Sequence, residues 1–298
     1  MSRQTLSERI NQGIFIVDGA MGTQLMAAGA PAGACNEYLC IESPQIVEMV
    51  HKTYLDAGCD AIITNSFGGN EYILARHGHA DKVGEINTAA AKIARKAAGG
   101  EKYVLGGLGP CGDFLEPIGP VKPDELKAAF VAQVSALAGG DIDGFIIETM
   151  SAVEEMAIAV EAVKSVSDLP VLASFAYDPA GDEFRTMMGL GVAQAVEKLA
   201  SLGIFAIGFN CGTLDMDRYV KLAAEYAVAI GDSPIVLLAE PNAGRPELID
   251  DKAVYTLSPT EYAEASEKIK AAGAKILGGC CGTTPSHIEA MAKKLNAG

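Results

Sequence analysis

The sequence predicts an α/β protein, a single (β/α)8 TIM barrel that spans residues 1–298. Two observations lead to this fold class. Short apolar runs alternate with helical patterns from one end of the chain to the other, and there are eight such pairs. The chain has 298 residues, close to the ~250 residues typical of an α/β barrel.

The eight strand candidates are mostly continuous apolar runs rather than alternations of apolar and polar residues. That composition is typical of parallel strands that are covered on both faces. The predicted strands are Ile14 to Asp18, Ala61 to Asn65, Tyr103 to Gly107, Gly144 to Glu148, Pro170 to Phe175, Ala206 to Cys211, Pro234 to Ala239 and Ala274 to Cys280.

Helix signals follow the strands. Helices are predicted at Val83 to Ala98 and at Pro123 to Leu137. Ser43 and Ser258 each precede a proline and are read as N-caps, the second within a capping box. His287, in the opening turn of the last helix, is expected to have a capping role. Residues 21–43 and 178–191 are predicted as long loops, which in barrels are usually functional or mobile.

Composition excludes several classes of partner. The formal net charge is -15, which repels nucleic-acid phosphates and anionic membranes. No run of 18 apolar residues is present, and the first residues lack the apolar centre of a signal peptide. A cytoplasmic protein is therefore expected. The seven cysteines are an odd number and are read as free thiols rather than a disulfide framework.

Polar residues collect where the predicted strands end, which is the face that carries the active site in α/β barrels. Asp18 follows the first strand, Asn65 ends the second, Glu148 ends the fourth and Asn242 follows the seventh. An acid that interrupts an apolar strand is costly to bury without a partner. Asp18 and Glu148 are therefore candidate functional residues; acids satisfied by backbone amides are the structural alternative.

Three cysteines form a candidate metal site. Cys211 ends the sixth strand, and Cys280 and Cys281 end the eighth. Three thiolates and an open position are a common pattern for catalytic zinc. Adjacent residues of a regular strand point to opposite faces, so the backbone has to leave extended geometry here. The flanking Gly278, Gly279 and Gly282 allow this. A structural zinc is the alternative, although CxxC spacing is absent.

Three anionic ligands favour one type of chemistry. They leave the metal electron-rich, which makes a bound thiolate a better nucleophile and bound water harder to ionise. Alkylation of a thiol is therefore favoured over hydrolysis. A metal-assisted aldolase or hydrolase is an alternative, although it would use histidine or carboxylate ligands and a base. A non-catalytic zinc barrel that docks a partner protein is another.

Several motifs, in the same order along essentially the whole chain, give a specific resemblance. They are Asp18-Gly19-Ala20-Met21-Gly22-Thr23, Thr64-Asn65-Ser66-Phe67, Ile147-Glu148-Thr149, Gly208-Phe209-Asn210-Cys211-Gly212, Pro241-Asn242-Ala243-Gly244 and Gly278-Gly279-Cys280-Cys281-Gly282-Thr283-Thr284-Pro285. With these motifs the sequence resembles the homocysteine S-methyltransferase family. It is most similar to the homocysteine-binding module of cobalamin-dependent methionine synthase.

The resemblance implies roles for individual residues. Cys211, Cys280 and Cys281 would hold zinc at the C-terminal face of the strands, with the sulfur of homocysteine as an additional ligand. Asn242 matches a position that can fill the fourth site when substrate is absent. Asp18 and Glu148 would bind the homocysteine amino group through charge-assisted hydrogen bonds. Further substrate-binding residues would be Gly19, Ala20, Met21, Gly22, Thr23 and Asn65.

The resemblance also implies a methyl donor. In the most similar enzymes a methylated corrinoid (methylcobalamin), carried on a separate domain or protein, methylates homocysteine to give methionine. We expect this chain to be a stand-alone acceptor module that uses a corrinoid protein in trans. Betaine is disfavoured because Gly68 stands where betaine-using relatives have an aromatic residue, and the chain has no Trp.

Several points stay open from the sequence. S-methylmethionine and S-adenosylmethionine remain alternative donors, and another thiol is an alternative acceptor. Gly68 and Gly69 are expected to leave the barrel mouth open to a large cofactor. Met187 and Met188 either line the mouth or pack in the core.

Overall fold

Parallel strands form the central sheet of the computed structural model, which describes residues 3–31, 33–249 and 252–297. The strands of the protein are β1 (Phe15–Ile16), β2 (Ala61–Ile63), β3 (Tyr103–Leu108), β4 (Gly144–Met150), β5 (Val171–Phe175), β6 (Asp178–Ala180), β7 (Glu183–Arg185), β8 (Ala206–Asn210), β9 (Val236–Glu240), β10 (Glu247–Ile249), β11 (Lys252–Val254) and β12 (Ile276–Leu277). Eight of them pair in the order β1-β12-β9-β8-β5-β4-β3-β2. A parallel bridge between Val17 and Ala61 brings the two edges together, so the sheet is a barrel.

Helices surround this barrel. They are α1 (Leu6–Asn11), α2 (Met21–Ala27), α3 (Leu39–Glu42), α4 (Pro44–Asp56), α5 (Glu71–Arg76), α6 (Val83–Ala98), α7 (Pro123–Ala138), α8 (Val153–Val166), α9 (Val192–Ala200), α10 (Met216–Ile230), α11 (Pro259–Ala271) and α12 (Pro285–Asn296), with a 3-10 turn at Ala80–Lys82. At least one helix follows each barrel strand. The (β/α)8 fold and the eight predicted strand positions are therefore confirmed.

Two apolar layers stabilise the fold. One fills the barrel interior and includes Phe15, Leu105 and Leu238. Leu6 and Ile10 of α1 join this layer, so α1 covers the N-terminal end of the barrel. The larger layer lies between the sheet and the helices. Burial of these side chains is the main favourable contribution to folding. Because α1 covers the N-terminal end, the carboxyl ends of the strands form the accessible end of the barrel.

The helix caps predicted from the sequence are found at the predicted residues. Ser258 and Glu261 form the predicted capping box at α11, with the Ser258 hydroxyl accepting from the Glu261 amide at 3.3 Å. His287 caps α12, since Nδ1 lies 2.8 Å from the Thr284 hydroxyl. Ser43 is the N-cap residue of α4, as predicted, with Pro44 in the first turn, but its side chain makes no capping hydrogen bond.

The two predicted loops contain regular structure. Residues 21–43 include α2 and α3, which are 7 and 4 residues long. Helices this short leave little periodic signal and depend on tertiary packing. Residues 178–191 include the antiparallel hairpin of β6 and β7. In the described part of the chain, no helix is both long and apolar enough to cross a membrane.

Candidate metal centre and adjoining pocket

The three predicted ligand cysteines converge at the carboxyl ends of β8 and β12. Their sulfur atoms all lie within 4.8 Å of one another, and the Cys211 and Cys281 sulfurs are 3.9 Å apart. A tetrahedral zinc ion with bonds of about 2.3 Å places its sulfur ligands about 3.8 Å apart. The observed spacing therefore fits zinc. Among the described residues, this is the one such cluster of metal-ligating side chains.

Backbone geometry explains how adjacent cysteines reach one point. Strand β12 ends at Leu277, so Cys280 and Cys281 lie beyond it in a turn that contains Gly282 at φ 79°. The Cys280 amide donates to the Pro241 carbonyl at 3.0 Å, which fixes this turn against the end of β9. Cys211 has a φ of 54°, a left-handed conformation that costs a non-glycine residue free energy. The strained conformation turns Cys211 away from regular strand geometry.

The thiols influence each other's ionisation. Hydrogen bonds from Cys211 and then Cys280 lower the pKa of Cys281 to about 3. The pKa of Cys280 is raised well above its ordinary value, first by its interaction with Cys211 and then by that with Cys281. One thiolate is therefore accessible at neutral pH, and further ionisation places like charges together. A bound cation removes that penalty, because metals bind thiols in the deprotonated form.

Two asparagines support the centre. Asn242 donates to the Gly212 carbonyl at 2.8 Å, while its Oδ1 is buried without a hydrogen-bond partner. This free oxygen suits the predicted role as an alternative ligand. Asn210, which the sequence did not single out as a site residue, has its Nδ2 3.6 Å from the Cys280 sulfur. Its Oδ1 accepts from Ser174 and from the Thr149 amide, each at 2.7 Å. Asn210 therefore connects three strand ends.

Three carboxylic acids lie beside the thiols. Asp18 and Glu240 are 2% and 1% exposed, and Glu148 is partly buried. Asp18 accepts from the Ile63 amide through Oδ2, but its Oδ1 and both Glu240 oxygens have no partner. Burial raises the pKa of Asp18 and of Glu240 well above their ordinary values, and burial followed by the Cys281 charge raises the pKa of Glu148 to about 8. None of the three acids forms an ion pair among the described residues, and burial without a cationic partner raises the pKa of a carboxyl group.

Glu240 was missed as a site residue. It is the last residue of β9, and the acid signal that identified Asp18 and Glu148 applies equally to it. Gly278 leaves the space that the Glu240 side chain occupies, since a Cβ at residue 278 would lie 3.1 Å from Glu240 Cγ and 3.1 Å from the Asp18 carbonyl oxygen.

A pocket of about 500 Å³ is lined by the three thiols and by two of the acids, Asp18 and Glu148. Its lining includes nearly all of the predicted substrate residues, namely Asp18, Gly19, Ala20, Met21, Gly22, Thr23, Asn65 and Glu148. The Thr23 hydroxyl is buried without a partner, so a polar ligand group can bond to it. Asn65 donates to the Asn36 carbonyl at 2.7 Å and so helps to hold the pocket wall. Asn242 is absent from the lining.

The glycine pair after β2 has a different role from the expected one. A Cβ on Gly68 would lie 2.7 Å from Ile73 Cγ2, and one on Gly69 would lie 2.4 Å from Asn87 Oδ1. Both glycines are buried under neighbouring elements, so they permit close packing rather than a wider mouth. An aromatic residue has no space at Gly68.

The fold and the site define an α/β-barrel enzyme with a thiol-lined centre and an acidic pocket. The family model for homocysteine S-methyltransferases matches residues 15–295, and the chain belongs to that family. This membership confirms the expected family and enzyme class, methyltransferase.

Relatives extend the comparison. Methionine synthases of Mycobacterium tuberculosis and Mycobacterium leprae are each 31% identical over an alignment 307 positions long, which covers 96% of this chain and 25% of each of those proteins. The chain thus spans about a quarter of the length of these curated relatives. The metallated homocysteine methyltransferase MmuM from Escherichia coli has a TM-score of 0.78 at 23% identity, covering 97% of this chain and 99% of that one. This structural likeness supports the fold.

Proposed function

We propose that this protein is a zinc-dependent thiol methyltransferase that converts homocysteine to methionine. The observation that carries the proposal is the convergence of three thiols, within 4.8 Å of one another, beside Asp18 and Glu148, two acids that form no ion pair among the described residues. A thiol amino acid supplies both missing groups, because its sulfur suits the centre and its ammonium suits the acids.

Each group of residues has a defined task. Zinc, held by Cys211, Cys280 and Cys281, would keep the substrate sulfur in its thiolate form at neutral pH. Asp18 and Glu148 bind the substrate ammonium, and Glu240, whose pKa is raised first by burial and then by the charges of Glu148 and Asp18, lies close to both. The Thr23 hydroxyl and the backbone of residues 19–23 bind the carboxylate. Together these contacts fix the sulfur for in-line attack, so that positioning replaces a general base.

The donor we propose is a methylated corrinoid supplied by a separate protein. The substrate sulfur would form a bond to the methyl carbon as the carbon–cobalt bond of the donor breaks, with the electron pair left on the departing corrinoid. The thiol proton would be lost to solvent when the substrate sulfur becomes a thiolate at the centre. Two observations support this donor: the matched curated relatives are methionine synthases four times as long as this chain, and Gly68 leaves no space for the aromatic residue of a betaine site.

Methyl transfer to homocysteine should be assayed with methylcobalamin, S-methylmethionine, S-adenosylmethionine and betaine as separate donors. Zinc content and zinc-edge absorption with and without homocysteine form the second measurement. We expect turnover with methylcobalamin and one added sulfur around zinc when homocysteine binds. Turnover with only S-methylmethionine or S-adenosylmethionine would show that the donor is a sulfonium rather than a corrinoid. An unchanged zinc shell and no turnover would favour a non-catalytic zinc barrel instead.

A further inference from the structure

Three buried tyrosines in the described part of the chain contact the backbone of the site. They are Tyr54 on α4, Tyr219 on α10 and Tyr262 on α11, and each is at most 1% exposed. The hydroxyl of each one donates to a carbonyl at the carboxyl end of the barrel, although the three helices come from different parts of the chain. A buried hydroxyl is normally hydrogen-bonded, and here each bond falls on a segment that carries a thiol or lines the pocket.

Tyr219 holds the most strained of these segments. Its hydroxyl donates to the Cys211 carbonyl at 2.5 Å. Cys211 has the left-handed φ of 54°, which costs a non-glycine residue free energy unless the surroundings enforce it. The Tyr219 ring is stacked on Phe209, with ring centroids 5.7 Å apart, so its hydroxyl is fixed in place. The bond therefore opposes relaxation of Cys211 to an unstrained backbone, which would turn its sulfur away from the other two thiols.

Tyr262 holds the turn that carries the other two thiols. Its hydroxyl donates to the Gly278 carbonyl at 2.6 Å and lies 3.2 Å from the Pro241 carbonyl oxygen. Gly278 comes two residues before Cys280, and the Pro241 carbonyl also accepts from the Cys280 amide at 3.0 Å. One hydroxyl thus joins the ends of β9 and β12 at the point where the turn with Cys280 and Cys281 begins.

Tyr54 holds a wall of the pocket. Its hydroxyl donates to the Ala20 carbonyl at 2.9 Å, and the Ala20 amide donates to the Thr283 hydroxyl at 3.1 Å. Both backbone polar groups of Ala20, a residue of the pocket lining, are therefore restrained. The second contact of the Tyr54 hydroxyl, to the Thr283 carbonyl, is 3.4 Å long and is at the limit of a hydrogen bond. Tyr54 thus acts mainly on the pocket and only weakly on the turn that follows the cysteine pair.

We propose that Tyr54, Tyr219 and Tyr262 are positioning residues of this site; the proposal rests on the proposed function. Each bond restrains the main chain of one segment and leaves its side chain free to bind the metal or the substrate. A site that is held in its binding geometry before the ligand arrives binds more tightly, because less ordering is needed on binding. Tyr219 and Tyr262 act on the thiols and so raise the metal affinity, whereas Tyr54 acts on the pocket wall and raises the substrate affinity.

Tyr219→Phe, Tyr262→Phe and Tyr54→Phe each remove one hydroxyl and keep the ring. The matched control is Tyr103→Phe, because the buried Tyr103 donates its hydroxyl to the Gln4 carbonyl at 3.0 Å at the opposite end of the barrel. Competition with a chelator measures the zinc affinity, and the visible spectrum of the cobalt-substituted protein reports on the thiolates around the metal. Calorimetry with the zinc protein measures the homocysteine affinity, and thermal unfolding of the metal-free variants measures any loss of stability.

We expect Tyr219→Phe and Tyr262→Phe to bind zinc about five- to tenfold more weakly and to change the cobalt spectrum. Tyr54→Phe should keep the zinc affinity of the wild type and bind homocysteine about threefold more weakly. Tyr103→Phe should keep both affinities even if its stability falls. If all four variants lose only stability, the tyrosines are structural and the positioning role alone is overturned. If the wild type binds neither zinc nor homocysteine, the proposed function fails and the positioning role fails with it.

Discussion

The two ends of the barrel use acidic residues in opposite ways. At the N-terminal end, Asp60 and Asp143 precede β2 and β4 and are fully paired. Asp60 accepts from Arg9 and from the Ile16 amide, each at 2.9 Å. Asp143 forms ion pairs with Arg3 and Arg95. These acids fasten α1 and α6 to the strands.

At the C-terminal end, the acids have no basic partner. Asp18 and Glu240 are buried and keep unpartnered oxygens, and no lysine or arginine pairs with Glu148 among the described residues. An uncompensated buried acid costs stability. The paired acids therefore stabilise the fold, whereas under the proposed function the unpaired acids bind a ligand that brings its own positive charge.

The largest expected effect comes from removing a ligand thiol. Cys280→Ala or Cys281→Ala should abolish zinc retention and turnover, because two thiolates do not complete the site. Metal analysis and the methyl-transfer assay measure this. Cys59→Ala is the matched control, since Cys59 is a buried cysteine at the opposite end of the barrel. Full activity in either ligand variant would refute the assignment of the centre.

Asp18→Asn should weaken homocysteine binding about 10- to 100-fold, because a charge-assisted hydrogen bond to the ammonium is lost. Zinc content should stay unchanged, since Asn can still accept from the Ile63 amide. Calorimetry with the zinc protein measures the affinity. Asp60→Asn, at the other end, should leave it unchanged. Equal affinities in both variants would contradict an ammonium site at Asp18.

Asp143→Asn should lower the free energy of unfolding by about 2 kcal/mol, because Arg3 and Arg95 lose their shared counter-charge while partly buried. Urea unfolding is the measurement. Homocysteine affinity should not change. A loss of substrate binding without a loss of stability would mean that the paired acids are not purely structural.

Protonation of His51 provides a comparison away from both ends. His51 lies midway along α4, is 0% exposed, and neither ring nitrogen has a hydrogen-bond partner. Burial lowers its pKa from 6.5 to about 4. Between these pH values the unfolded chain binds a proton that the folded protein does not. The free energy of unfolding therefore decreases as the pH is lowered from 6.5 to about 4, by up to about 1.4 kcal/mol per pH unit. Unfolding of His51→Leu across this range should show a shallower slope, and an identical slope would refute the effect.

Glu240→Gln should raise the free energy of unfolding of the substrate-free protein by about 1 kcal/mol, opposite in sign to Asp143→Asn. The change removes an acid whose two oxygens are buried and unpartnered. Thermal unfolding with and without homocysteine measures it. A destabilised variant would show that Glu240 has a partner and belongs with the structural acids.

Much of the site was predictable because it sits in local motifs. Adjacent cysteines within glycines, and acids that end apolar strands, are visible without a structure. Glu240 was missed because its position depends on Gly278, which directly follows the neighbouring strand β12. Asn210 escaped because its partners come from β4, β5 and the turn after β12. The roles of Gly68 and Gly69 were predicted wrongly because the side chains that pack against a glycine cannot be read from its neighbours in the sequence.

The barrel and the three thiols at strand ends could be predicted from the sequence, since periodicity and residue type are properties of short segments. Which acids are paired and which are not depends on the folded structure. Asp60 directly precedes a strand and Asp18 comes shortly after one, and the two look alike in sequence. Of these two acids, only Asp60 forms an ion pair with Arg9. Pairing depends on contacts between residues far apart in the chain, and these exist only once the barrel has closed.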